Sequence, residues 1–210
     1  AEGFSLIIHM ASPFTLRFED AQKELIEPAL KGTQNVLNAA TKSSTVKKVI
    51  LTSSVAAVHG DNIDMKELGI TEFTEEHFNY SSTLTHQPYS YSKVLAEKEA
   101  WKINKSQDKW QLVVINPSFV MGPSLTKTSN SESLNFMKEM LSGKYYLGAP
   151  NLMFGYVDVR DVAKVHLLAL EDETAEGRHI LAERTESVFG FSRLIKAIYG
   201  SKYKLPLLQS

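Results

Sequence analysis

Hydrophobic positions fall along this chain in two kinds of pattern. Three short runs, at residues 4–10, 46–52 and 110–116, hold their apolar residues together instead of alternating them with polar ones. That predicts strands buried on both faces, since a strand with one wet face would alternate. Between them lie longer stretches of mixed character. Residues 28–41 carry Leu30, Val36, Leu37 and Ala40 at near-helical spacing, and residues 88–105 form a second helical segment, opened by a proline at a first-turn position. The order strand, helix, strand, helix, strand predicts a parallel sheet with right-handed crossovers. Ligands of such sheets sit beyond the carboxyl ends of the strands.

Residues 59–87 are polar, rich in Glu, Ser, Thr and Asn, and too long for a plain crossover turn, so they read as a surface excursion flanking a site. After Gly122 and Pro123 the pattern loosens. Helices are expected at about 131–141, 159–170 and 191–199, with a short strand at 179–182. No internal repeat or low-complexity tract occurs, and the Gly-Pro pair is the one plausible seam.

Composition narrows the partner. Of 210 residues, 43% are hydrophobic and 22% charged, the profile of a soluble globular chain with a sizeable core. Twenty-three basic residues against twenty-four acidic ones leave a net charge of -1 and no field to draw nucleic acid or an anionic membrane, so a small molecule is the default partner. The absence of cysteine removes disulfides, thiolate metal sites and thiol nucleophiles, and fits a cytoplasmic location. The N-terminal residues suggest no signal peptide, and no apolar run could span a bilayer. The six histidines show no ligand spacing, so no metal is expected.

Candidate chemistry centres on Tyr89 and Lys93, which stand one helical turn apart and so share a face. Ala96, Ala100 and Ile103 continue that face and let the helix lie close to a sheet. A phenol titrates near 10, and an adjacent ammonium together with the helix N-terminus favours the phenolate. With eight tyrosines in the chain the spacing alone is weak evidence. Placement strengthens it: Ser53 and Ser54 end the strand that begins at Val46, where a hydroxyl projects into the ligand crevice and can donate to a carbonyl oxygen. Serine pairs also form turns without any chemistry.

Six landmarks, taken together and in order, resemble the extended short-chain dehydrogenase/reductases. They are His9-Met10-Ala11-Ser12-Pro13, Gly32-Thr33-Gln34-Asn35-Val36-Leu37, Leu51-Thr52-Ser53-Ser54, Tyr89-Ser90-Tyr91-Ser92-Lys93, Asn116-Pro117-Ser118-Phe119-Val120-Met121-Gly122-Pro123 and Tyr156-Val157-Asp158-Val159-Arg160-Asp161-Val162-Ala163. The likeness is to the group of dihydroflavonol 4-reductases, cinnamoyl-CoA reductases and yeast aldehyde or methylglyoxal reductases. It implies an α/β fold: a Rossmann-like parallel sheet with flanking helices plus a smaller substrate-binding part. Residues 1–123 would be the C-terminal part of an NAD(P)-binding domain carrying the catalytic residues, and 124–210 mostly the substrate-binding part with further Rossmann elements.

The resemblance further implies NAD(P)H-dependent reduction of an aldehyde or ketone. Tyr89 would be the general acid, Lys93 would bind the nicotinamide ribose and lower the tyrosine pKa, and Ser54, the second serine of the pair, would polarise the carbonyl. Met10, Ala11, Ser12, Pro117, Val120 and Ser133 would line the cofactor, NADP or NAD. The acids of residues 158–163 would cap the helix that follows. His86, three residues before Tyr89, would contact substrate or serve a surface role at the helix start. Phe14, Phe119, Phe136, Tyr145 and Tyr146 would form an apolar pocket or simply pack the core.

Two departures stand out. An asparagine that completes a proton relay in many short-chain reductases is Ala29 here. No glycine-rich dinucleotide fingerprint occurs among the eleven glycines, so the chain is expected to lack the first strand-helix units of its family and to carry an exposed sheet edge. Two rivals keep the fold. An epimerase or dehydratase acting on a nucleotide sugar shares the tyrosine, lysine and serine, though Arg160, Arg178, Arg184 and Arg193 are scattered and form no diphosphate clamp. A non-catalytic cofactor sensor is the other. The resemblance leaves monomer and homodimer equally open.

Overall fold

A computed structural model describes residues 1–15, 17–126 and 131–209. The chain divides into two compact units. The first comprises residues 1–117 and 163–181, the second 118–162 and 182–210. The seam expected at Gly122 and Pro123 thus lies a few residues beyond the division, because Asn116 and Pro117 remain in register with Ile180 and Leu181 of the first unit's sheet.

That sheet contains β1 (Leu6–His9), β2 (Lys48–Thr52), β3 (Gln111–Pro117) and β6 (Gly177–Leu181), in the order β1-β2-β3-β6 with every pairing parallel. Two helices cover one face: α1 (Glu27–Lys42), entered through a π-turn at Gln22–Ile26, and α3 (Pro88–Lys105). Leu37 and Ala40 of α1, Val49 and Leu51 of β2, Ala100 of α3, and Leu112 and Val114 of β3 bury together there. The opposite face buries Ile50, Val113 and Ile115 against Ala169 and Val165 of α5 (Val159–Glu171). Neighbouring strand residues therefore serve opposite layers, which is why the apolar runs are continuous in β2 and β3.

β1 departs from that expectation. It is the edge strand among the described residues, and Leu6 and Ile8 are each 41% exposed. Lys48, buried at the start of β2, sends its ammonium to the carbonyls of Ala169 and Asp172 and satisfies the C-terminal turn of α5. The polar excursion contains a 3-10 turn (Val55–Ala57) and the short α2 (Ile63–Leu68).

In the second unit β4 (Phe119–Met121) runs parallel to β5 (Met153–Asp158), which pairs antiparallel with β7 (Arg184–Ser187). α4 (Glu132–Ser142) and α6 (Val188–Tyr199) supply a core around Met140, Ala149, Val188 and Ile195. Phe119, Phe136 and Tyr145 belong to its aromatic packing, with Phe119 and Phe136 rings edge to face at 5.6 Å. Core packing thus accounts for these three. Gly122 leaves β4 at φ 141°, and a Cβ there would meet Val159 Cγ1 at 2.6 Å, so the position requires glycine.

Candidate active site

The carboxyl ends of β1, β2 and β3 and the first turns of α3 bring the candidate residues of the first unit together. The chain leaves β2 through Ser53 and Ser54, whose roles separate at once. Ser53 is buried, its N–H extends the ladder to the Ile115 carbonyl at 2.7 Å, and its hydroxyl donates to Glu97 Oε2 at 2.5 Å. Ser54 opens the 3-10 turn, its Oγ accepting from the Ala56 N–H at 3.1 Å. Ser53 is thus engaged by Glu97, and Ser54 by the turn that it opens.

Tyr89 stands in the first turn of α3. Ahead of it Gln87 adopts the left-handed conformation (φ 54°, ψ 56°), a strained geometry for a side-chain-bearing residue. Hydrogen bonds hold it there: Gln87 Nε2 donates to Asp61 Oδ1 at 2.7 Å, and Ser82 Oγ donates to Gln87 Oε1 at 3.2 Å. The polar excursion thereby sets the start of the helix. His86, exposed, pairs through Nε2 with Asp61 Oδ2 at 2.7 Å, a surface contact at the helix start. The Phe14 ring lies against Tyr89, tilted by 44° with ring centroids 4.6 Å apart, while Tyr146 is exposed.

Electrostatics differ from the simplest expectation. Burial pushes the Tyr89 phenol above its ordinary range, and its hydrogen bond to Ser54 opposes the rise. The direction is the reverse of the lowering that the Tyr-Lys spacing implies. Lys93 is buried, donates from Nζ to the Thr52 carbonyl at 3.3 Å, and is pushed down to about 8 by burial, with the Glu97 charge acting against the fall. His9, at the end of β1, is held below its ordinary range by burial and then by the Lys93 charge.

The cofactor candidates fall in both units. Ala11, Ser12 and Lys93 line a narrow cleft of about 10 Å³ with His9, Thr33 and Thr52, and the buried Ser12 Oγ has no hydrogen-bond partner. Met10 stands beside them, exposed, and Pro117 is buried at the end of β3. In the second unit Val120 and Ser133 share one cavity of about 200 Å³ with Pro123, Leu134 and Met137. Residues 127–130, within the loop before Ser133, lie outside the described residues. Asp158 accepts from the Arg160 N–H at 2.8 Å and so caps α5, as its position suggested. Among the described residues no group of three or more His, Asp or Glu side chains could hold a metal, and no helix is long and apolar enough to cross a membrane.

Glu97 was not singled out in the sequence, Asn116 entered only as part of a landmark, and Arg178 only among the scattered arginines. Glu97 Oε2 accepts from Ser53 and from Asn116 Nδ2 (2.8 Å), while Oε1 accepts from Arg178 Nε (2.5 Å) and Trp101 Nε1 (3.3 Å). The available signal was spacing: Tyr89, Lys93 and Glu97 follow one another at four-residue intervals on one helical face, and an acid on a face otherwise made for packing is unusual. Arg178, 81 residues away from Glu97, gave no local signal.

Residues 1–183 match the family model described as the 3-beta hydroxysteroid dehydrogenase/isomerase family. The chain belongs to that family. This 3-beta hydroxysteroid dehydrogenase/isomerase family chain is an extended short-chain dehydrogenase/reductase, as the six landmarks implied. It is 39% identical over 203 residues to cinnamoyl-CoA reductase CAD2 of Medicago truncatula, a match covering 95% of this chain and 60% of that protein. Anthocyanidin reductase of Arabidopsis thaliana is 37% identical over 194 residues, covering 89% of this chain and 57% of that one. The crystal structure of yeast methylglyoxal/isovaleraldehyde reductase Gre2 complexed with NADPH superposes with a TM-score of 0.83 at 30% identity, over 97% of this chain and 64% of Gre2. The family member described here thus spans about 60% of the length of the curated relatives it matches.

Proposed function

We propose that this chain carries the catalytic centre of an NADPH-dependent reductase of aldehydes or ketones. The observation that carries the reading is the convergence of three groups at the strand ends: Ser54 just after β2, Tyr89 in the first turn of α3, and Lys93 one turn behind it, donating to the Thr52 carbonyl. A phenol held above its ordinary range keeps its proton at neutral pH and can deliver it to a carbonyl oxygen as negative charge develops there. Ser54, at the end of β2, orients that oxygen. Phe14 offers an apolar wall beside it.

The residues fit the nicotinamide half of the cofactor. The unpartnered Ser12 Oγ and the Lys93 ammonium supply donors for ribose and phosphate oxygens, with Ala11 allowing close approach, and Met10 and Pro117 complete the proposed contact set of the first unit. Bound there, the nicotinamide supplies the hydride. The names of the relatives, reductases of cinnamoyl-CoA, anthocyanidin and methylglyoxal, and the NADPH in the Gre2 complex favour this reading and NADP over NAD. A nucleotide-sugar reaction is less well supported, since Arg160 is paired with Asp158 and Arg178 with Glu97.

The test is a screen of aldehydes and ketones with NADPH and NADH, following loss of absorbance of the reduced nicotinamide in the intact protein. Turnover with NADPH is expected, faster than with NADH; no consumption with any carbonyl would overturn the proposal.

A further inference from the structure

The Glu97 carboxylate is fully buried, and a charge in that position costs several kcal/mol unless it is closely paired. Four donors surround it: the Ser53 hydroxyl, Asn116 Nδ2, Arg178 Nε and Trp101 Nε1. Arg178 is itself a strong anchor, donating to the carbonyls of Glu75 and His77 and lying over the Phe78 ring at 3.9 Å, so it fastens β6 to the polar excursion without help.

The other contacts lead toward the reacting groups. Ser53 adjoins Ser54 in sequence. Asn116 Nδ2, besides binding Glu97, donates to the Ser54 carbonyl at 3.1 Å. Lys93 lies one helical turn before Glu97 and lines the same narrow cleft. We propose that Glu97 is a positioning residue of the active site, a buried carboxylate that fixes the Ser53-Ser54 turn through Ser53 and Asn116 and sets the electrostatic environment of Lys93.

The charges facing Lys93 can be enumerated by element. β1 presents His9, α3 presents Tyr89 and Glu97, and β6 presents Arg178 through its pairing with Glu97. β2, β3 and α1 contribute only the neutral Thr52, Ser53, Asn116 and Thr33. Glu97 is therefore the one acidic group in this set, and it works against the fall of Lys93 to about 8. Removing it would leave the lysine less charged at neutral pH.

The inference rests on the reading of Lys93 as a site residue, but its test does not depend on turnover. Lysine labelled with ¹³C at Cε in the intact protein allows the Lys93 titration to be followed by NMR, with Lys93→Arg identifying the signal. Glu97→Gln, isosteric but uncharged, is expected to lower the midpoint by about 0.5 unit or more. Arg178→Gln, which removes the opposing cation, is expected to raise it. Glu97→Asp keeps the charge and should hold the midpoint near its original value while perturbing packing. A folded Glu97→Gln protein with an unmoved Lys93 midpoint would overturn the proposal; should that variant not fold, an unmoved or lowered midpoint in Arg178→Gln would do so. Failure of the reductase reading would instead appear as absent turnover in the unsubstituted protein.

Discussion

The buried lysine is the residue whose properties are most sharply set by its surroundings. Burial lowers Lys93 from 10.5 to about 8. Between those values the unfolded chain holds the proton and the folded one releases it, so the cost of Lys93 is fully present below about pH 8 and is relieved as pH rises toward 10.5. Lys93→Met should therefore stabilise the fold at pH 7 by about 1–2 kcal/mol while abolishing reduction, the trade expected where function holds a charge in an apolar place. Urea denaturation at pH 7 and 10 checks this, and the gain should shrink at the higher pH. Ser54→Ala removes both the hydroxyl proposed to polarise the carbonyl and the cap on the 3-10 turn; turnover is expected to fall about 10²-fold or more, read as kcat with KM for carbonyl measured alongside.

At the scale of elements, α3 depends on how its first residues are held. Gln87→Ala would lose the bonds to Asp61 and Ser82 and keep the left-handed strain, a predicted cost of about 1–2 kcal/mol. Gln87→Gly loses the same bonds but relieves the strain, so it should cost less than alanine; equal denaturation midpoints for the two variants would contradict the account. This arrangement was not legible in the sequence, because nothing local marks a glutamine as left-handed. The helix itself was legible from residue 88 to 105, and β2, β3, α1 and α5 were placed to within a few residues, because long apolar runs and helical periodicity survive burial on either face. β4, β5 and β7 were missed. β4 is three residues long, and the polar β7 carries no apolar run. Ser54, Tyr89 and Lys93 could be nominated by spacing and strand-end position, whereas the Glu97-Arg178 pair required the fold to bring β6 beside α3.

At the scale of the whole molecule, the first unit presents a sheet edge at β1 among the described residues. β1 pairs only with β2 among the described residues, with Leu6 and Ile8 half-exposed and Phe4 more so. Such an edge favours association, and Ile8→Lys is expected to reduce self-association of the 210-residue chain in sedimentation velocity. The central claim concerns chemistry at Tyr89, and one comparison tests it most directly. In the intact protein, carbonyl reduction by NADPH and NADPH binding are measured side by side for the unsubstituted chain and for Tyr89→Phe. The account predicts a fall in kcat of about 10²–10⁴-fold with NADPH affinity nearly unchanged. A Tyr89→Phe protein that reduces carbonyls at the original rate would contradict it.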